Sequence, residues 1–371
     1  MRVTIERSAF LKSLNHVQSV VERRNTIPIL SNVLVQASAG KLRLTATDLD
    51  IEVVEEVAAD VTQEGSTTAS AHIMYDIVRK LPDGAQLEIE QADENRLSIF
   101  AGRSRFALQS LPPQDFPDLA AGELTHRFHL SAHELKMLIE KTRFAISTEE
   151  TRYYLNGIYL HDVTTPEGPL LRAVATDGHR LAQVQLPRPD GAKGMPGIIV
   201  PRKTVLELMK LIEDADGDIE VALSSAKIRF TVGALTLTSK LIDGTFPDYE
   251  RVIPRGNDRK MEVDTKLFAQ AVDRVSTISS EKGRAVKLNI SHDKVTLTVN
   301  NPDSGSAEEE VAASYSSDPI DIGFNSRYLL DVTAQFKGST ASFHFADAGS
   351  PTILRDGDDM SALYVLMPMR V

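Results

Sequence analysis

The tripeptide Phe-Pro-Asp occurs twice, at Phe116-Pro117-Asp118 and at Phe246-Pro247-Asp248, an offset of 130 residues (from 116 to 246). Each copy closes a run of alternating apolar and polar residues, Ser104 to Leu111 before the first and Leu235 to Ile242 before the second. Such alternation running into a proline-bounded turn reads as a strand. An offset of a whole domain's length marks a duplicated unit, and duplication restricts the chain to a few repeated architectures. A second pair of landmarks agrees: Ala46-Thr47-Asp48 and Ala175-Thr176-Asp177 lie 129 residues apart (from 48 to 177).

Helical spacing of apolar residues divides the chain further. From Ser8 to Arg24, Phe10, Leu14, Val17 and Val21 share one face, with Ser8 as the expected N-cap. A second run starts at Ser131 and carries Leu135, Leu138, Ile139 and Ile146, with Ser131 and Glu134 in a capping-box pattern. A third starts at Asp264 with Leu267, Phe268, Ala271, Val272 and Val275. Each follows a short strand, and each unit adds a second helix: His72 to Leu81, Pro201 to Ile212 with proline in the first turn, and Asn325 to Lys337. The third unit lacks both landmarks and joins the others by its order of elements alone. The expected class is α+β, three similar domains at 1–122, 123–256 and 257–371, each with two helices on antiparallel strands.

At 371 residues, 42% hydrophobic and 25% charged, the chain is long enough for two or three cores. It has no cysteine, which removes disulfides, thiolate chemistry and cysteine-bearing zinc sites and fits a reducing cytoplasm. Met1 to Arg7 is an alternating strand pattern, and no apolar stretch reaches membrane-spanning length, so neither export by a signal peptide nor membrane insertion is expected.

A net charge of −11 argues against a nucleic-acid partner until its distribution is considered. The six helical runs hold fifteen basic and eight acidic side chains, a surplus of +7 that leaves −18 on everything else. Lysine and arginine favour helices and often occupy solvated faces, but glutamate favours them equally, so propensity does not explain an excess of one sign. Six such helices on one side of a sheet layer would present a positive surface to phosphate backbones, with sequence-independent, salt-sensitive binding.

Four short segments bear on chemistry. Thr176-Asp177-Gly178-His179-Arg180-Leu181 combines carboxylate, imidazole and guanidinium, but no nucleophile context, HExxH helix or second ligand cluster accompanies it, and an Asp-Gly turn accounts for it. No phosphate-binding glycine loop is present, which argues against phosphoryl and hydride transfer. Arg152-Tyr153-Tyr154-Leu155-Asn156-Gly157 fits either a strand with one buried ring or a surface on which rings stack against bases. The apolar tail Tyr364 to Val371, with Met367 and Met369 flanking Pro368, fits both a final core strand and an adaptable partner surface. Arg103, Arg105, Phe106 and Leu108 oppose Glu308-Glu309-Glu310 in charge. Either segment reads as an edge strand blunted by charge, or the two meet between subunits, where head-to-tail association closes a ring if the rotation permits.

Taken together and in order, the segments 152–157 and 176–181, Ile199-Val200-Pro201-Arg202-Lys203, Phe246-Pro247-Asp248-Tyr249, Asn300-Asn301-Pro302 and Met367-Pro368-Met369-Arg370 make the whole chain resemble the bacterial DNA polymerase III beta subunits, the replicative sliding clamps. The resemblance implies a DNA-clamp fold and a ring-shaped homodimer lined by twelve helices. Such a ring encircles duplex DNA without sequence preference, tethers the replicative polymerase alpha subunit, and is opened by a clamp loader. It implies no catalytic activity, no cofactor, no metal and no membrane partner, in the cytoplasm. It implies a cleft for the clamp-binding motifs of the polymerase and other proteins, walled by Arg152, Leu155, Thr176, Gly178, His179, Arg180, Leu181, Pro247, Arg251, Val252, Val365, Met367, Pro368 and Met369. DNA contacts would fall on Arg24, Arg103, Tyr153 and Tyr154, with Glu149 and Ile73 replacing a neutral amide and an arginine. At the dimer interface Phe106 and Leu108 would face Thr277 and Ile278, alongside Arg105 and Glu308, Glu309 and Glu310.

Overall fold

The computed structural model describes residues 1–93, 95–119, 122–279, 283–357 and 359–370, so Val371 of the apolar tail lies outside the described residues. The six expected helices are α1 Arg7–Gln18, α2 Ala71–Lys80, α3 Ala132–Arg143, α4 Arg202–Leu211, α5 Thr265–Ser276 and α6 Ser326–Thr333. The apolar spacing does what it predicts: α1 buries Phe10, Leu14 and Val17, and α5 buries Phe268, Ala271, Val272 and Val275. In the capping box of α3, Ser131 Oγ accepts from the Glu134 N–H at 3.2 Å and the Glu134 carboxylate accepts from the Ser131 N–H at 2.8 Å. Asp264 caps α5 by accepting from the Leu267 N–H at 2.8 Å.

Helix ends depart from the sequence reading where side chains or tighter turns capture the backbone. Glu6, not Ser8, caps α1: its carboxylate accepts from the N–H of Ser8 at 2.8 Å and of Ala9 at 3.0 Å. The Ser8 hydroxyl and these two N–H groups hold the Glu6 carboxyl below the usual carboxylate range. The helix stops at Gln18, not Arg24, because the Ser19 hydroxyl takes the His16 carbonyl at 2.7 Å and the Val21 N–H turns to Gln18 at 3.2 Å. Arg23 and Arg24 therefore stand in a loop. In α3, i−3 bonds at Ala145 and Ile146 end the helix at Arg143, and Pro201 closes the strand Ile198–Pro201 ahead of α4 instead of entering its first turn. Likewise α6 ends at Thr333, since Asp356 accepts from the Lys337 and Gly338 N–H groups at 2.7 and 3.0 Å and turns the chain away.

Packing groups the chain into two compact units, one of residues 1–136, 189–196 and 203–241, the other of 137–188, 197–202 and 242–371. The first holds a five-stranded antiparallel sheet that ends in the edge strand Ser104–Gln109, and an eight-stranded one. The second holds a twelve-stranded antiparallel sheet. Both larger sheets join strands of successive repeats along a seam. Leu235–Lys240 pairs with Ile51–Ala58, setting Leu237 opposite Val53, and Arg180–Pro187 pairs with Ala362–Leu366, setting Leu181 opposite Val365. Gly157 is required where the strands Gly157–Thr165 and Ile198–Pro201 cross, because a Cβ there would stand 2.2 Å from the Val200 carbonyl oxygen.

The duplication is visible bond by bond in one turn. Thr47 Oγ1 donates to the Ile51 carbonyl at 2.8 Å and accepts from the Leu49 N–H at 3.0 Å; Thr176 Oγ1 does the same with Arg180 at 2.7 Å and Gly178 at 3.1 Å. Asp48 Oδ1 accepts from the N–H groups of Asp50 and Ile51, as Asp177 Oδ1 does from His179 and Arg180. Leu49 and Gly178 both take left-handed backbone, at φ 78° and 89°. The first copy bears strain that glycine relieves in the second.

Candidate functional site

The second seam opens into an apolar cleft of about 220 Å³ within the second unit. One wall comes from the turn and strand at Thr176, Gly178, Arg180 and Leu181 together with Val365 and Met367 of the adjoining strand and tail. Facing it is the loop carrying Pro247, Asp248, Tyr249 and Val252, and Leu155 completes the lining. Beneath lie the buried Val174, Ile199, Phe246 and Leu363, and the Tyr159 ring stacks on Phe246 at 4.8 Å and 6°. The geometry suits a short extended segment that buries apolar side chains and leaves its backbone near the rim.

Nine of the fourteen expected cleft residues line it: Leu155, Thr176, Gly178, Arg180, Leu181, Pro247, Val252, Val365 and Met367. The other five lie around it. Arg152 pairs with Glu149 through Nε at 2.7 Å and crosses beneath the glycine of the turn, where a Gly178 Cβ would stand 2.5 Å from its guanidinium. His179 holds the tail, its carbonyl accepting from the Met367 N–H at 2.9 Å. Arg251 is exposed and bonded to Asp248 at 2.7 Å, and Met369 bridges to Gly323 at 2.8 Å, with Pro368 between these two tail anchors. Asp248 and Tyr249 were missed as lining. Their signal was the residue completing Phe-Pro-Asp and the aromatic after it, a pattern that reads as core.

The Asp177 turn offers no catalytic group. Its Oδ1 closes the turn and its Oδ2 accepts from Arg180 Nε at 3.1 Å. Arg180 is held in turn by Asp331 at 2.5 Å and the Phe144 carbonyl at 2.7 Å, with its guanidinium 4.3 Å over the Tyr328 ring. A cation held by two carboxylates, a carbonyl and an aromatic ring shapes a wall. Behind the loop wall, burial and then the Arg172 charge push His161 down to about 4 from an ordinary 6.5. Its contribution to stability is present above pH 6.5 and is lost as pH falls toward 4, because the unfolded chain takes up a proton that the folded chain refuses. The loss is on the order of 3 kcal/mol at 1.36 kcal/mol per pH unit. His161→Gln should flatten that part of the stability profile in urea titrations; an unaltered slope would count against a buried neutral imidazole.

Of the expected nucleic-acid contacts Arg24, Arg103 and Tyr153 are exposed, while Tyr154 is half-buried against the apolar cluster beneath the cleft. Arg24 and Arg103 lie in loops of the first unit, and in the second Tyr153 stands edge-on to Tyr154 at 5.7 Å between ring centroids. Glu149 is held ionised by Arg152, whose guanidinium keeps its carboxyl below the usual range, and Ile73 is exposed on α2. Although some helix boundaries shift, the helices still carry thirteen basic and six acidic residues, read against the sequence. Lys12, Lys80, Arg143, Arg202, Lys266 and Arg327 are exposed and pair with no carboxylate among the described residues.

Ser104–Gln109 is a sheet edge, and Gly305–Ser314, which lies between Arg259–Asp264 and Lys294–Asn301, is open along most of its second side. Ser104–Gln109 pairs on one side only, with Arg105 exposed and Phe106 and Leu108 half-buried. In Gly305–Ser314 only Ala313 and Ser314 have strand partners on the second side among the described residues. Two of its three glutamates are already paired within the chain, Glu309 with Arg274 at 3.0 Å and Glu310 with Lys294 at 2.8 Å, and Glu308 forms no ion pair among the described residues. Thr277 and Ile278 follow α5, with the Ile278 carbonyl accepting from Asn301 at 2.9 Å.

Family models described as the N-terminal, central and C-terminal domains of the DNA polymerase III beta subunit match residues 1–120, 129–248 and 250–370. The beta sliding clamp of Caulobacter vibrioides is 55% identical over 372 residues, covering 100% of each chain. A crystal structure of the sliding clamp (DNA polymerase III subunit beta) of Bartonella birtlesii bound to griselimycin matches with a TM-score of 0.97 at 56% identity, covering 100% of both chains. The DNA polymerase sliding clamp of Caulobacter crescentus matches with a TM-score of 0.96 at 54% identity, again over 100% of both.

Proposed function

Because this chain belongs to the DNA polymerase III beta subunit family, the replicative sliding clamps, we propose that two copies close into a ring around duplex DNA and hold partner proteins through the cleft at the second seam. The protein is a non-catalytic processivity factor of DNA replication. The observation that carries the cleft assignment is its make-up, an apolar slot beside an arginine paired with two carboxylates and an ordered turn. Partner peptides bury Leu or Phe anchors against Leu155, Leu181, Val252 and Val365, and the Met367 thioether adapts to different sequences.

Duplex DNA is held by the unpaired helix cations, by Arg24 and Arg103, and by Tyr153 and Tyr154, without base readout and with strong salt dependence. The acidic remainder of the chain repels DNA from other surfaces. Domains at 1–122, 123–256 and 257–371 supply two helices each, and the edges Ser104–Gln109 and Gly305–Ser314 join head to tail between copies, Phe106 and Leu108 against Thr277 and Ile278. The replicative polymerase and the clamp loader use the same cleft in turn, in the cytoplasm where the chromosome is copied. No helix among the described residues is long and apolar enough to cross a membrane.

Sedimentation equilibrium tests the ring. A dimer at micromolar concentration is expected, and monomer alone at that concentration would leave a peptide-binding module that never surrounds DNA.

A further inference from the structure

The loop from Asp243 to Ile253, which forms one wall of the cleft, makes no backbone hydrogen bond to a strand among the described residues. Its place is set by side chains. Phe246 inserts into the aromatic layer against Tyr159, and the Tyr249 hydroxyl meets Arg172 Nη1 at 2.9 Å and His161 Nε2 at 2.9 Å.

Arg172 is an unexpected residue for this position. It sits in the middle of the strand Gly168–Thr176 and is only 8% exposed. Register places it directly between His161 and Gln185 on the two neighbouring strands, a polar row across a sheet whose adjoining layer is aromatic and apolar. A guanidinium buried there costs desolvation unless its donors are all directed to partners. Those on two of its three nitrogens are: Nη1 donates to Tyr249 and to Glu250 Oε1 at 2.9 Å each, and Nε donates to Gln185 at 3.1 Å. Arg172, Val174 and Thr176 share a face by the two-residue period of a strand. The same strand therefore lines the cleft with Thr176 and fastens the opposite wall with Arg172.

We propose that Arg172 is a positioning residue for partner binding: by gripping Tyr249 and Glu250 from behind, it sets the distance between the loop wall of Pro247, Tyr249 and Val252 and the strand wall of Thr176, Leu181 and Val365. This rests on the reading of the cleft as the peptide site. The grip selects the side chain admitted between the walls, so Arg172 acts on one anchor of the peptide and not on the peptide as a whole. Arg172 touches no ligand, and its effect passes through the Tyr249 ring.

The test measures binding of a fluorescein-labelled peptide taken from the cognate replicative polymerase, and of the same peptide with each apolar anchor replaced in turn by alanine. Arg172→Met should weaken the parent peptide about tenfold. It should weaken one alanine peptide less than twofold, the one lacking the anchor that rests on Tyr249 and Val252. Tyr249→Phe, which keeps the ring and removes only the hydroxyl, should give the same anchor-specific loss, and Arg172→Lys should recover part of it. With ¹³Cζ-tyrosine labelling, the Tyr249 resonance, assigned by its absence in Tyr249→Phe, should move in Arg172→Met and return toward its original position in Arg172→Lys. An equal loss for every peptide, unchanged affinity, or a Tyr249 resonance that stays in place would each overturn the proposal. Val252→Asp is the control for the underlying reading. If it leaves the parent peptide's affinity intact, the peptide does not bind here and the cleft assignment falls first, taking the proposal with it.

Discussion

Truncating the chain after Leu366 lowers its affinity for polymerase-derived peptides by about 100-fold or more, while retention on closed circular DNA stays unchanged. The truncation removes the Met367 side chain from the cleft lining and the two backbone bonds that fix the tail, Met367 N–H to the His179 carbonyl and Met369 N–H to the Gly323 carbonyl. The first of these ties the tail to the turn that forms one wall, so its loss loosens that wall as well as shortening it. A fully desolvated anchor site contributes from about 2 to about 4 kcal/mol, and a 100-fold loss is about 2.7 kcal/mol. The strand Ala362–Leu366 ends before the cut and keeps its pairing with Arg180–Pro187, so the sheet survives. Fluorescence anisotropy of a labelled peptide reads the first outcome, and unchanged affinity would remove the tail from the site.

The second large effect lies at the other end of the chain. Leu108→Lys converts the dimer to monomer at micromolar concentration and abolishes stable retention on circular DNA. Phe106 and Leu108 project from the same face of an edge strand and are half-buried in the isolated chain, so an interface there would bury apolar area that is now partly solvated. An ammonium in that position would be buried against Thr277 and Ile278, a cost of several kcal/mol and so at least a 100-fold weaker dimer. Peptide affinity of the monomer should be unchanged, because the cleft lies wholly within the second unit. Sedimentation and anisotropy on the same sample separate the two effects; a Leu108→Lys protein that remains dimeric would place the interface elsewhere.

How much of this was legible in the sequence differs from element to element. Apolar spacing located three of the six expected helices and terminal signals the other three, and the capping box at Ser131 and Glu134 formed as read. Helix ends were harder, since they depend on competition for single backbone groups. The Ser19 hydroxyl ends α1 before Arg24, and Asp356, distant in sequence, turns the chain before Lys337. Seams between repeats leave no local trace, because pairing Leu181 with Val365 joins positions far apart in the chain. The twin turns at Asp48 and Asp177 were visible as a repeated tripeptide, yet their shared left-handed residue was hidden by leucine standing in one copy and glycine in the other.

The cleft shows the same division. Apolar residues beside the Asp-Gly turn and in the tail were recognisable through the family pattern, and they do converge. Tyr249 was not assigned, since an aromatic after Phe-Pro-Asp reads as core. It is both buried and lining. Arg172 escaped notice because a charge inside an alternating strand reads as the solvated face, and only the register shows that its face is covered by Tyr249. The match in charge between Arg103, Arg105 and the three glutamates was less informative than it looked, with Glu309 and Glu310 neutralised by near neighbours.

The central claim is topological: DNA is held because it passes through a closed ring, and the helix cations contribute contact without sequence preference. The most direct measurement loads the dimer onto closed circular DNA with the cognate clamp loader, removes free protein, cuts the circle at one site, and follows the bound fraction by gel filtration. Retention on the intact circle and rapid loss once the DNA is cut is the expected result. Equal rates of loss from circular and linear DNA would contradict it and leave only ordinary electrostatic binding.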